Sequence, residues 1–137
     1  MTNEGLFVDT GAWYALADRF DQYHEQASAL FPRVLREYPR LVTTNLVIAE
    51  TYVMIRRKLG HEAAITFIEK ISTSPKLSKV YSDRALEEEA ETILRDFDDQ
   101  DFSYTDAVSF AVMRQNSISK AFTFDKHFVT AGFAVIP

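Results

Sequence analysis

Short apolar runs alternate with stretches of helical period along this chain, and that alternation limits its fold more than any other feature. The runs at 5–9, 40–43, 77–81, 120–124 and 133–136 have the length and residue types of strands. Between them, 21–37 sets Tyr23, Ala27, Leu30, Phe31, Val34 and Leu35 on one helical face, with a kink or break expected at Pro32. A short helix is predicted over 12–17, after the turn-like Thr10-Gly11. Longer helices are predicted over 46–58, capped by Thr44 or Asn45, and over 61–72, after Gly60. Asp83 caps an acidic helix over 83–97, and 96–101 reads as a loop. Ser103-x-x-Asp106 is a capping signature for a sixth helix through Met113. Strands alternating with helices imply right-handed βαβ crossovers. The expectation is an α/β fold, a single-domain α/β/α sandwich over 1–137 with a mostly parallel central sheet.

Composition narrows the function. The absence of cysteine excludes a disulfide framework, a zinc–thiolate site and a cysteine nucleophile, and points to a reducing compartment. The first seventeen residues lack a basic leader, Asp9 interrupts them and Asp18 follows. No window reaches the roughly 18 uncharged apolar residues of a membrane span. A soluble, cytoplasmic protein with no membrane partner is expected. The net charge of −5 excludes nucleic-acid binding through a generally basic surface, but if four acids converge on bound cations, only −1 remains for the rest of the chain.

Four acids stand out. Asp9 and Asp125 each close an apolar strand, and in open α/β sheets ligands bind beyond those ends. Each taken singly also suits a turn or a helix cap. Glu50 lies between Leu46-Val-Ile-Ala49 and Tyr52-Val-Met-Ile55, where a lone buried carboxylate is costly. A metal, an ion pair with Arg56 or Arg57, or exposure on the wet face of the helix would each relieve it. Asp106, in the first turn of the sixth helix, taken alone suits a capping acid favoured by the helix dipole better than a metal site. Asp101, in an acid-rich loop, is a candidate fifth carboxylate. Brought together without cations, each pair of such charges at 4 Å repels by about 4 kcal/mol at an effective dielectric of 20. An oxygen-rich cluster of this kind favours Mg²⁺ or Mn²⁺, ions that support phosphodiester hydrolysis.

The stretches Phe-Val-Asp9-Thr-Gly-Ala-Trp-Tyr-Ala-Leu16, Thr44-Asn-Leu-Val-Ile-Ala-Glu50-Thr, Ser103-Tyr-Thr-Asp106-Ala-Val-Ser-Phe-Ala-Val-Met113 and Phe122-Thr-Phe-Asp125-Lys-His-Phe128 follow one another in the order and spacing of the PIN-domain family. The chain resembles that family along nearly its whole length, and among its members the stand-alone VapC toxins. The resemblance implies a parallel sheet with a metal pocket of Asp9, Glu50, Asp106 and Asp125, supported by hydroxyls at Thr10 and Thr123. It also implies Mg²⁺ or Mn²⁺ as cofactor, RNA as substrate, a homodimer, and inhibition by a VapB-type antitoxin.

Arg56, Arg57, Arg114 and Lys126 are candidate phosphate contacts, and solvated helix ends are the plainer reading of the same residues. Trp13 and Tyr14 suit base stacking or, more simply, core packing. His24, His61 and His127 receive no role. Gly11 stands where a haloacid dehalogenase-type enzyme needs a second aspartate. Asp9 is the lone acid of its loop where a phospho-receiver domain has a pair, and no glycine-rich phosphate loop exists. The alternatives kept open are a PIN-fold interaction or RNA-binding module that does not cut, and a DNA- or rRNA-processing PIN nuclease.

Overall fold

The computed structural model describes residues 4–137. The order of elements is β1 (Leu6–Val8), α1 (Thr10–Ala17), α2 (His24–Glu37), β2 (Leu41–Thr44), α3 (Asn45–Leu59), α4 (His61–Thr73), β3 (Leu77–Val80), α5 (Arg84–Asp96), α6 (Tyr104–Gln115), β4 (Lys120–Phe122), α7 (His127–Thr130) and β5 (Ala134–Ile136). The five strands form one sheet in the order β3-β2-β1-β4-β5, and every neighbouring pair is parallel. Phe7 is in register with both Val42 and Ala121, so β1 is the centre of the sheet. Leu6, Phe7 and Val8 are wholly buried, as a parallel strand covered on both faces must be.

Strand order decides where a ligand can sit. The chain steps outward from β1 to β2 to β3, then returns to the other side of β1 to lay down β4 and β5. With right-handed crossovers, the outward steps put α1–α4 on one face, and the return puts α5–α7 on the other. Consistent with this, α1 packs on α2 and α3, α3 packs on α4, and α6 packs on α5 and α7. The order reverses between β1 and β4, where the loops leaving the carboxyl ends diverge and open a crevice.

Helix α6 is the internal beam of the second layer. Ala107, Val108, Ser109, Phe110, Ala111, Val112 and Met113 are all buried, the pattern of a helix covered on every side. Phe110 lies edge-on to Phe102 and Phe128, with ring centroids 5.0 Å away in each case, and Phe128 in turn approaches Phe7 of β1 at 6.1 Å. Because β4 follows α6 closely, the helix runs antiparallel to the strands and its N-terminus lies at their carboxyl edge.

Three local expectations are modified. Thr10 and Gly11 open α1 rather than breaking the chain before it. Helix α2 runs unbroken through Pro32, which is exposed. Strand β4 ends at Phe122, which releases Phe124 from the sheet, and the four-residue α7 was too short to show a period. Gly60 joins α3 to α4 with φ of 98°, a conformation that only glycine adopts cheaply. No helix among the described residues is long and apolar enough to cross a membrane.

Candidate active site

Asp9 follows β1 directly and is the N-cap residue of α1, yet its carboxylate caps nothing. Its Oδ2 instead accepts a hydrogen bond of 3.0 Å from the Thr123 hydroxyl, just past β4. The same hydroxyl accepts the main-chain N–H of Asp125 at 3.0 Å. Thr123 therefore ties the ends of the two central strands together across the crevice. It is buried, and so is Asp9.

Asp106 enters from the other layer. It is the third residue of α6 and completes the capping box foreseen in the sequence: Ser103 Oγ accepts the Asp106 N–H, and Asp106 Oδ2 accepts the Ser103 N–H, both at 3.0 Å. The capping role and the site role are both filled, because the same Oδ2 also accepts from Nδ1 of His127 at 3.1 Å. With Asp106 ionised, the ring proton sits on Nδ1. Asp125 lies on the other side of that ring, its Oδ1 3.4 Å from Nδ1 and 2.9 Å from the His127 main-chain N–H it accepts. Phe102 packs edge-on against the imidazole at 5.2 Å and fixes its plane. Removing the cap with Ser103→Ala is expected to cost about 1 kcal/mol by denaturant titration and to loosen Asp106, which loses a restraint on its backbone.

Burial dominates the electrostatics. Desolvation pushes the Asp9 carboxyl up to about 7, against the favourable Thr10 N–H and Thr123 hydroxyl, and the neighbouring Asp106 and Asp125 carboxylates add to the rise. Three acids held this way are an unfavourable arrangement in the absence of a cation. Asp106, Asp125 and His127 each offer a ligand atom, all within 4.8 Å of one another. The Thr10 hydroxyl, beside Asp9, is buried without a hydrogen-bond partner among the described residues. An oxygen-rich donor set, an orphaned hydroxyl and a carboxylate penalised for its charge fit a hard divalent ion such as Mg²⁺ or Mn²⁺.

Other candidates stand further out. Glu50 is exposed, with no hydrogen bond or ion pair to its carboxylate among the described residues, so exposure is how this helix avoids burying a charge. Asp101 is likewise exposed in the loop before α6. Arg56 and Arg57 stand exposed in the last turn of α3, and Arg57 shares a face with Glu50 two turns earlier. Arg114 is exposed in the last turn of α6, roughly 12 Å of helix rise beyond Asp106. Lys126 is exposed next to Asp125. Trp13 and Tyr14 are core residues. The Trp13 indole N–H donates to Thr43 Oγ1 at 3.4 Å, and the Tyr14 hydroxyl donates to Asp18 at 2.6 Å.

The sequence pattern of the PIN domain matches residues 6–134, which takes in all the acids just described. The chain belongs to the PIN-domain family. Within that family it is of the VapC type: it is 37% identical over 132 residues to the 23S rRNA-specific endonuclease VapC20 of Mycobacterium tuberculosis, spanning 96% of this chain and 97% of that protein. The crystal structure of M. tuberculosis VapC20, a Sarcin-Ricin loop cleaving toxin, superposes with a TM-score of 0.87 at 36% identity, over 94% of this chain and 96% of that one. Two more distant structures share the fold. FitAcB of Neisseria gonorrhoeae has a TM-score of 0.66 at 16% identity over 96% of both chains. VapBC2 of Rickettsia felis, bound to a promoter DNA fragment, has a TM-score of 0.66 at 10% identity over 96% of this chain and 97% of that one.

In this PIN domain the residue that sequence reading passed over is His127. The signal was available, since an aspartate after a strand commonly accepts the N–H two residues on, and such a turn brings the side chain at that position back to the carboxylate.

Proposed function

We propose that this PIN domain is a divalent-metal-dependent endoribonuclease that cuts ribosomal RNA, and that it is the toxin of a VapBC-type pair. The observation that carries the reading is the convergence of Asp9, Asp106 and Asp125 from three separate elements on the crevice between β1 and β4, with Asp9 buried at a cost that a bound cation offsets. The similarity to VapC20 supports ribosomal RNA as the substrate class.

Asp9, Asp106 and Asp125 are assigned as metal ligands, and Glu50, on the helix leaving the neighbouring strand β2, as a contributor through water. Mg²⁺ or Mn²⁺ held there supplies a water of lowered pKa and positive charge opposite the leaving oxygen. Thr123 orients Asp9, and the buried Thr10 hydroxyl is a supporting donor beside it. His127 holds Asp106 at a fixed angle, the part that outer partners of metal ligands play. Lys126, and Arg57 along the Glu50 face, are assigned to phosphates flanking the scissile bond, with Arg56 and Arg114 further along the track. Asp101 is left as a solvated loop acid.

The partner assigned to this chain is a VapB-type antitoxin. A groove of about 760 Å³ lined by Trp13, Leu16, Phe31, Leu35, Leu59 and Phe67 offers it an apolar seat, and Leu35 and Leu59 are more than a third exposed there. A homodimer and a cytoplasmic location belong to the same reading.

The test is cleavage by purified, antitoxin-free protein of an RNA hairpin carrying the sarcin–ricin loop and of its DNA counterpart, with Mg²⁺, Mn²⁺ or EDTA. RNA cuts that vanish in EDTA are expected. Equal cutting of the DNA would reassign the chain to DNA processing, and cutting of neither, in a protein that divalent ions still stabilise, would reassign it to a module that does not cut.

A further inference from the structure

We propose that the loop between α1 and α2, together with Phe124, forms a platform at the edge of the acidic centre on which a base of the RNA, next to the scissile phosphate, is stacked. The proposal rests on the nuclease reading above and adds a base-binding position that the acids do not supply.

Phe124 sits between Thr123 and Asp125, two residues of the centre, just past the end of β4, with one edge of its half-buried ring against Phe122 at 6.1 Å. Its ring lies parallel to that of Tyr23, with centroids 4.3 Å apart and planes 5° apart. Every other close ring pair among the described residues is tilted or edge-on, the geometry that buried aromatic packing favours. The one parallel pair therefore stands at the surface beside the site. Tyr23 is 37% exposed, so the pair is reached from solvent.

Three residues before Tyr23, Phe20 is 81% exposed, with the Arg19 guanidinium 4.9 Å above its ring. A single exposed phenylalanine would mean nothing, but this one stands on a loop whose shape is set. Asp18 accepts the Phe20 N–H at 3.0 Å, and Asp21 accepts the Tyr23 N–H at 3.0 Å. The Asp21 N–H reaches the Asp18 carbonyl and the His24 N–H the Asp21 carbonyl, while the His24 ring is anchored to the Ala15 carbonyl at 2.7 Å. The loop backbone is thus ordered before any ligand arrives, and the Tyr23 ring is held by Phe124, which lowers the entropy cost of binding.

The occupant follows from charge. In a chain of net charge −5, attraction of phosphates to a basic surface is a weak source of affinity, whereas every base has a π-face that stacks without needing charge. Asp18 and Asp21 have their carboxylates engaged by loop donors, and Arg19 is the cation beside the platform. Stacking is worth roughly 5- to 150-fold in affinity per base.

The experiment measures equilibrium binding of the sarcin–ricin hairpin to cleavage-silent Asp9→Asn protein in Mg²⁺, with Tyr23→Ala, Phe20→Ala or Tyr23→Trp added. Tyr23→Ala is expected to weaken binding by roughly fivefold or more without changing the salt dependence, because no phosphate contact is lost. Phe20, touching no core residue, gives a second variant that cannot act through folding, with a loss in the same direction. Tyr23→Trp is expected to keep the affinity, and its indole emission to be quenched by RNA over the constant background of buried Trp13. Unchanged affinity in both alanine variants with no quenching overturns the platform. So does a lost protein partner with RNA affinity intact, which would reassign the face to a protein contact. A wild-type chain that cuts no RNA would refute the nuclease reading instead, and the quenching experiment separates the two failures.

Discussion

Asp9→Asn is expected to lower RNA cleavage by on the order of 10³-fold or more and also to make the metal-free protein more stable at pH 8. The first effect follows from the metal-holding role proposed for Asp9 in the crevice between β1 and β4. The second follows from the cost of keeping that charge buried. The Asp9 carboxyl is raised to about 7 in the folded protein from the ordinary 3.8, chiefly by burial. A group raised in this way contributes its full stability below about 4 and loses it as pH rises through about 7. Metal-free wild type therefore weakens across that window, and asparagine, which never ionises, does not. Asparagine also keeps an oxygen to accept the Thr123 hydroxyl. The gain should be negligible near pH 4 and reach roughly 4 kcal/mol above pH 7, read by denaturant titration in EDTA. Added Mg²⁺ or Mn²⁺ should stabilise wild type and leave the variant nearly unmoved. A variant less stable than wild type at pH 8 in EDTA would refute the account of Asp9 as a carboxylate held at a cost.

Thr123→Val should reduce cleavage by about 10- to 100-fold, the effect expected of an outer partner given the metal-holding role proposed for Asp9. Valine matches threonine in shape, so packing against the sheet is kept while two hydrogen bonds are lost. The Asp125 N–H and Asp9 Oδ2 then lack the hydroxyl that joined them. Leaving such buried groups unpaired costs about 1–3 kcal/mol. Thr123→Ser restores the hydroxyl and should recover most of the activity. Recovery in serine but not valine is the outcome that assigns the effect to the hydroxyl rather than to volume.

The layers of the fold were readable because each element carried its own signal. Asp83 accepts the Leu86 N–H at 2.9 Å and Thr44 the Val47 N–H at 3.1 Å, both side-chain caps of the kind a sequence advertises. The strand ends were readable only approximately. Phe124 looks like strand because it is apolar and follows apolar residues, but a hydrophobic ring satisfied by Tyr23, 101 residues earlier in the chain, leaves no local trace. The same limit applies to the aromatics. Trp13 and Tyr14 lie close to Asp9 in sequence and drew attention, yet they are core residues, while the exposed rings near the centre came from Phe20 and Tyr23. Asp9, Asp106 and Asp125 were candidates by position, two at strand ends and one at a helix start, but each position alone suits a turn or a cap, and only the folded chain brings the three close enough to raise the Asp9 carboxyl. Glu50 was singled out for its apolar neighbours, and the helix resolves that tension by turning it to solvent. His127 depended on a turn two residues long, below the resolution of any periodicity.

Strand order also has a bearing on when the centre comes into being. β4 brings Asp125 to its place by pairing with β1, whose own acid was laid down 116 residues earlier. Everything between, from α1 to α6, must be made before that pairing closes. A growing chain in which β2 and β3 have already docked on β1 holds Asp9 at a free sheet edge, with neither Thr123 to orient it nor Asp125 to share a cation. The acidic centre is therefore assembled only once β4 has been made and has paired with β1, however early Asp9 itself is in place.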